Sequence, residues 1–106
     1  MSKEGKEWMG DVASLGCVVC RNAGYGATPA EVHHVRAGVG KGQRAAETDT
    51  IPLCPPHHRG TAHPIVPSIH RDKRRFEREF GTERELLAQT IRDVNAFRST
   101  IVGGAL

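Results

Sequence analysis

EVHHVR, residues 31–36, sets two histidines side by side in a stretch that otherwise reads as a half-buried β-strand. Neighbouring side chains of a strand point to opposite faces, so His33 and His34 are expected to look in different directions. LCPPHHRG, residues 53–60, repeats the doublet with His57 and His58 beside Cys54. On a turn entering a helix, adjacent side chains diverge by about 100°. Each doublet is therefore expected to be divided between two jobs.

The cysteines say what one job is. Cys17 and Cys20 form a C-x-x-C knuckle, and Cys54 with His57 forms a C-x-x-H knuckle 34 residues after Cys20. Two such knuckles supply four soft or borderline ligands on tight turns, the donor set of a tetrahedral structural zinc. All three cysteines are used once, which a disulfide framework could not do with an odd number. A redox-active C-x-x-C would want a βαβ setting that the pattern lacks. Four protein ligands leave no open position, so this zinc is expected to be structural. His58 is left over for something else.

Composition supports a metal staple. At 106 residues, with 38% hydrophobic residues, one Trp, one Tyr and three Phe, the chain is a single small domain, 1–106, with little core-forming material. Metal binding free energy becomes folding free energy where the unfolded chain holds no site. The net charge of +3 and pI near 9.0 give a mild basic excess that favours phosphate-rich partners. No run approaches the roughly 20 apolar residues of a membrane span. MSKEGKEWMGDVASLG, residues 1–16, lacks the apolar segment of a signal peptide. With thiolates best kept in a reducing compartment, a cytoplasmic location is expected.

The periodicities outline the elements. Trp8, Val12 and Leu15 fall at i, i+4 and i+7 of a first helix that Gly16 should stop. CVVCRNAGYG (17–26) reads as a tight turn, residues 30–36 as a strand, AGVGKGQR (37–44) as a mobile glycine-rich loop, and TDTIPLC (48–54) as a second short strand. A helical turn and an irregular loop should fill 57–70. Residues 71–80 suit a helix broken at Gly81. Thr82 and Glu85 make a capping box for another helix running to about Ser99, with Leu86, Leu87, Ile91, Val94 and Phe97 on its apolar face.

The succession C-x-x-C, E-x-H-H, D-x-I-P-L-C-x-x-H-H resembles the HNH endonucleases, the ββα-metal or His-Me finger group. EVHH, IPLCPPHH and IHRDKRRFEREFGTE (69–83) are most similar to the phage recombination-enhancement nucleases called Ref. The resemblance covers about residues 17–85. It implies an α+β fold: a small ββα-metal core over about 17–80, a structural zinc knuckle, and flanking N- and C-terminal helices, the last over about 83–99. It also implies a metal-dependent DNA endonuclease, phage- or prophage-derived and recombination-related, with one catalytic divalent ion, magnesium or manganese. By the same resemblance His33 and His58 bind that ion and His34 is the general base. His70, placed just before the F-E-x-x-F-G-T-E helix, is favoured over His63 as third ligand.

Hydrolysis of a phosphodiester asks for the same division of labour: a base of near-neutral pKa for the water and a cation for the developing charge. Glu31, on the same strand face as His33, is expected either to orient a ligand or to face solvent. Asp49 stands where HNH enzymes carry Asn, five residues before the knuckle cysteine. It can orient the base through its backbone carbonyl but cannot donate from a side-chain amide. Arg36 and Arg71 are the first candidates for phosphate contact, ahead of Lys41, Arg44 and the bases of residues 73–78, among which Asp72, Glu77 and Glu79 interleave as on a solvated helix face. Few aromatics are present for stacking, so backbone-driven, weakly specific DNA binding is expected. Ref enzymes act on DNA presented by a RecA filament, which makes RecA a further expected partner. That dependence leans on segments beyond the nuclease core, and no long basic arm precedes Cys17, so the chemistry carries over ahead of the RecA requirement. The alternative is a zinc-stapled nucleic-acid-binding or adaptor module, to which His34, His58 and His70 would be superfluous.

Overall fold

The computed structural model describes residues 2–35, 47–61 and 66–104, with side chains to residue 100. Helix α1 (Lys3–Ser14) is opened by Ser2, whose hydroxyl accepts from the Gly5 N–H at 3.0 Å, and ends before Gly16, whose φ of 81° only glycine adopts without strain. Trp8 and Val12 form its buried stripe. The knuckle segment is more than a turn: Val18–Asn22 is a short helix, α2, which buries Val18, Val19 and Cys20 together. Three consecutive buried residues are what one turn of helix pressed into a core requires, and the turn read from the sequence is corrected accordingly.

Strands β1 (Glu31–His34) and β2 (Thr50–Leu53) pair antiparallel, with Glu31 opposite Leu53, Val32 opposite Pro52, His33 opposite Ile51 and His34 opposite Thr50. Pro52 cannot donate to a ladder, which a two-stranded sheet tolerates because each strand keeps a free edge. Helix α3 (Pro55–Arg59) follows at once, begun by two prolines in its first turn and closed by Gly60 at φ 74°. Helix α4 (Lys73–Phe80) starts two residues later than expected, after Asp72, and α5 (Glu83–Gly104) runs five residues past Ser99. The element order is therefore α1, α2, β1, β2, α3, α4, α5, a small α+β fold. The glycine-rich loop 37–44, with Arg36, Lys41, Arg44 and His63, lies outside the described residues.

Two apolar clusters flank the sheet. One gathers Cys17, Val18, Cys20, Ile51, Leu53, Cys54, Phe76 and Leu86 among others; the second joins Trp8 and Val12 of α1 to Val94 of α5. On α5 the buried face is Leu86, Leu87, Thr90 and Val94. Phe97, expected on the apolar face, is 36% exposed. Thr90, polar but fully buried, donates its hydroxyl to the Leu86 carbonyl at 2.8 Å.

The capping box at the start of α5 forms as read. Thr82 N–H donates to Glu85 Oε1 at 2.8 Å, and Glu85 N–H donates to Thr82 Oγ1 at 3.1 Å. Bonding from the Thr82 backbone and side chain lowers the Glu85 pKa below the ordinary carboxylate value. Thr82→Ala should cost about 1 kcal/mol in urea unfolding near neutral pH. Because the folded state lowers this pKa, the Glu85 contribution is full above the ordinary value and lost as pH falls through the folded one. A Glu85→Gln variant should accordingly show a weaker acid dependence than wild type between those two points.

Candidate metal centres and active-site cleft

The two halves of each knuckle meet as the spacing predicts. Cys17 and Cys20 flank the start of α2, Cys54 precedes α3, and His57 lies one turn into it. His57 Nδ1 is 3.1 Å from Cys54 Sγ, 3.8 Å from Cys17 Sγ and 3.7 Å from Cys20 Sγ, while Cys20 and Cys54 Sγ are 3.8 Å apart. Metal–sulfur bonds of ~2.3 Å and metal–nitrogen bonds of ~2.0 Å in a tetrahedron give edges of roughly 3.5–3.8 Å. Three of the four separations fall on that figure, and the cluster is compatible with a structural metal such as zinc.

Its electrostatics call for a cation. Burial works against ionising Cys17, but the His57 side chain and the backbone N–H groups of Cys54 and Cys20 hold its thiol down to about 6. Burial, with the nearby Cys17 and Cys20, pushes Cys54 up to about 12. Three sulfurs this close cannot ionise together in a dry pocket unless a positive charge is added. All three cysteines are free thiols.

The second member of each doublet turns elsewhere. His58 leaves α3 away from the cysteines, and its Nε2 comes within 3.0 Å of His70 Nε2. His33, buried on β1, joins them, with ring centroids 5.1 Å from His58 and 5.0 Å from His70. One nitrogen from each of the three lies within 4.8 Å of the others. His70 owes its seat to the main chain. The last carbonyls of a helix lack partners within it; here the His57 and His58 carbonyls accept from the N–H groups of Ile69 and His70 at 2.9 and 3.3 Å. The returning segment is thereby stitched to α3 with residue 70 beside residue 58.

A carboxylate backs each of two histidines. Glu31 Oε1 takes the His58 Nδ1 at 2.8 Å, which leaves Nε2 with a free lone pair on the cluster side. Glu31 thus serves His58, across the sheet-to-helix junction, and not its strand neighbour His33. The Arg59 guanidinium grips both Glu31 oxygens at 2.9 and 2.6 Å and, with His58, holds the Glu31 carboxyl down to about 2. Behind His33 stands Glu83, with Oε2 2.8 Å from His33 Nε2. Burial lowers the His33 pKa despite that carboxylate, favouring the neutral imidazole that binds metals. Burial likewise opposes the Glu83 charge, but Lys73 and His33 keep its pKa below the usual range.

These residues line one open cleft of about 450 Å³, whose walls include His33, His34, His58, His70, Lys73 and Glu83. His34 is exposed, yet it lies on the same cleft as its buried neighbour. Asp49 enters through its backbone, its carbonyl accepting from Val35 N–H at 2.8 Å, one residue after His34. Arg71 is not among the residues lining the cleft; it donates to the carbonyls of Gly60 at 3.0 Å and Val66 at 3.1 Å, clasping the loop that carries His70. Glu83 was absent from the site read in the sequence, and Lys73 stood there only among the bases of residues 73–78 ranked behind Arg36 and Arg71. Glu83 closes the F-G-T-E string quoted for the resemblance, but nothing in a linear pattern says that a helix's first residue reaches a strand histidine 50 positions back.

A family model described as "Recombination enhancement, RecA-dependent nuclease" matches residues 2–95. The chain belongs to this family. Its description implies a hydrolase acting on nucleic acid, in a setting that involves DNA and RecA. No curated protein matches the chain. The match spans both clusters and every element up to part of α5.

One equivalent of zinc per chain should survive dialysis against a weak chelator. Cys54→Ser should lose that zinc together with the cooperative thermal transition, since a structural site contributes on the order of 10 kcal/mol. His70→Ala should keep both. Atomic emission and calorimetry on the same samples check the difference.

Proposed function

We propose that the chain is a metal-dependent DNA endonuclease of the HNH type, in which β1, β2 and α3 form the ββα-metal element. The observation that carries this reading is the three-histidine cluster of His33, His58 and His70 in an open cleft, separate from the Cys17–Cys20–Cys54–His57 cluster. A structural knuckle has no use for three further convergent imidazoles. The donor set fits a divalent ion: the 3.0 Å between His58 Nε2 and His70 Nε2 suits two ligands of one ion, two of the rings are hydrogen-bonded to carboxylates, and three protein ligands leave positions open for water and substrate.

When bound, a divalent ion supplies positive charge to the scissile phosphate and its leaving oxygen. The protein's residues do the rest. His33, His58 and His70 hold the ion at the cleft wall. His34, exposed and one residue from His33, takes the proton of the attacking water, a task suited to imidazole near neutral pH. The Asp49 carbonyl, bonded to Val35 N–H, fixes the end of the strand that presents this base. Glu31, bonded to His58 Nδ1, would keep His58 in the tautomer whose Nε2 is free to hold the ion. The cysteine cluster holds zinc and fixes α3, from which His58 projects. The chain's place in a RecA-dependent family supports DNA as substrate and a RecA filament as the form in which it is presented, with a phage or prophage recombination role.

His34→Ala should abolish nicking of supercoiled plasmid in magnesium or manganese, with or without a RecA filament, while zinc content and thermal stability stay at wild-type values. Persistent cleavage by the variant would assign the base elsewhere; no cleavage by wild type under any of these conditions would favour a binding module. Removing the carboxylate behind His58 tests the ion site separately. Glu31→Ala should weaken manganese binding, read by calorimetry on the zinc-loaded protein, by about 10- to 100-fold.

A further inference from the structure

Glu83 is the first residue of α5, and its side chain is only 5% exposed. Both oxygens are used: Oε2 lies 2.8 Å from His33 Nε2, and Oε1 lies 2.8 Å from Lys73 Nζ. Lys73 opens α4, so the carboxylate ties the start of one helix to the start of the next and to the strand. A buried carboxylate is costly unless it is paired and hydrogen-bonded; here its charge is divided between two partners, His33 and Lys73, and the Glu77 carboxylate also acts on the Lys73 ammonium. The Lys73 side chain remains 53% exposed on the cleft wall. An ammonium carries three donors, and Glu83 uses one.

Among the described residues, two other cations near the histidines are engaged with protein groups. Arg59 grips Glu31, and Arg71 clasps the carbonyls of Gly60 and Val66. Among the described residues that wall the cleft, Lys73 is the side chain with a permanent positive charge. We propose that Lys73 contacts a backbone phosphate of the nucleic acid bound in the cleft, held at its place beside His33 by Glu83. The inference deepens the nuclease reading and rests on it. A compact ammonium suits a phosphodiester monoanion as a point charge, with no demand on base identity.

The test is the salt dependence of binding to a fluorescently labelled DNA duplex, measured by anisotropy in a His34→Ala background so that the probe is not cut. Each phosphate neutralised contributes about 0.9 to the slope of log affinity against log salt. Lys73→Gln should lower that slope by about one and weaken binding several-fold at low salt; Lys73→Arg should restore both. Arg74→Gln, one residue on, exposed and off the cleft wall, should leave the slope unchanged. An unchanged slope in Lys73→Gln, with the zinc content and helicity of its parent, would overturn the proposal, since a lysine that only braces Glu83 would not count phosphates. An equal fall in Arg74→Gln would also overturn it, as an effect of bulk charge. Plasmid cleavage by the wild type decides the nuclease reading independently of either slope.

Discussion

His57 and His58 leave α3 about 100° apart, and that divergence organises the site. One imidazole reaches the three sulfurs of the knuckle cluster; the next reaches the histidines of the cleft. Neither job can move without the other, because the two rings share five residues of helix begun by two prolines and ended by a left-handed glycine. The same helix offers its last carbonyls to Ile69 and His70, so it also decides where the third cleft histidine sits. Two cleft histidines and the imidazole of the cysteine cluster thus depend on one turn and a half of backbone.

A helix of five residues does not hold itself together, since helix formation is unfavourable below about 12 residues even for good formers. It is held from outside, by the cysteines around His57 and by its contacts with β1 and β2. The chain's apolar content is modest, and much of it surrounds the sulfurs: Val18, Val19, Leu53, Ile69, Phe76 and Phe80 pack in the same cluster as Cys17, Cys20 and Cys54. A cation among the thiols would therefore stabilise the core and the cleft's scaffold through the same four side chains. The half-buried Arg59–Glu31–His58 chain adds orientation rather than much stability, as exposed ion pairs contribute little.

What could be read from the sequence follows from where the information resides. The knuckles were legible because metal ligands need fixed local spacings, and the division of the histidine doublets was legible because strand and helix periods differ from one. The capping box of Thr82 and Glu85 is likewise local. His70 came from the resemblance alone; its position rests on backbone bonds to α3 that no side-chain pattern encodes. Glu83 was missed, and Lys73 ranked behind Arg71, because a charged residue at a helix start usually reads as solvated, and only the packing of α5 buries the first while leaving the second at the cleft. Arg71 was singled out for nearness to His70, yet nearness in sequence does not fix direction, and the guanidinium faces backbone carbonyls. The short helix α2 and the late start of α4 differ from the reading for the same reason: tertiary burial overrides local propensity at element ends.

The way residue 70 is delivered bears on how such a site can change. Its seat beside His58 is made by main-chain N–H groups and by the Arg71 clasp, both indifferent to the side chain at position 70, which projects outward and is exposed. Another donor there, an asparagine or an aspartate, would meet the same backbone and need no repacking of the core. His33, buried and locked to Glu83, has no such latitude. As the metal site proposed above, the cleft would combine one immovable ligand with one interchangeable one, and its preference among hard or borderline ions could drift by single substitutions while the fold stays as it is.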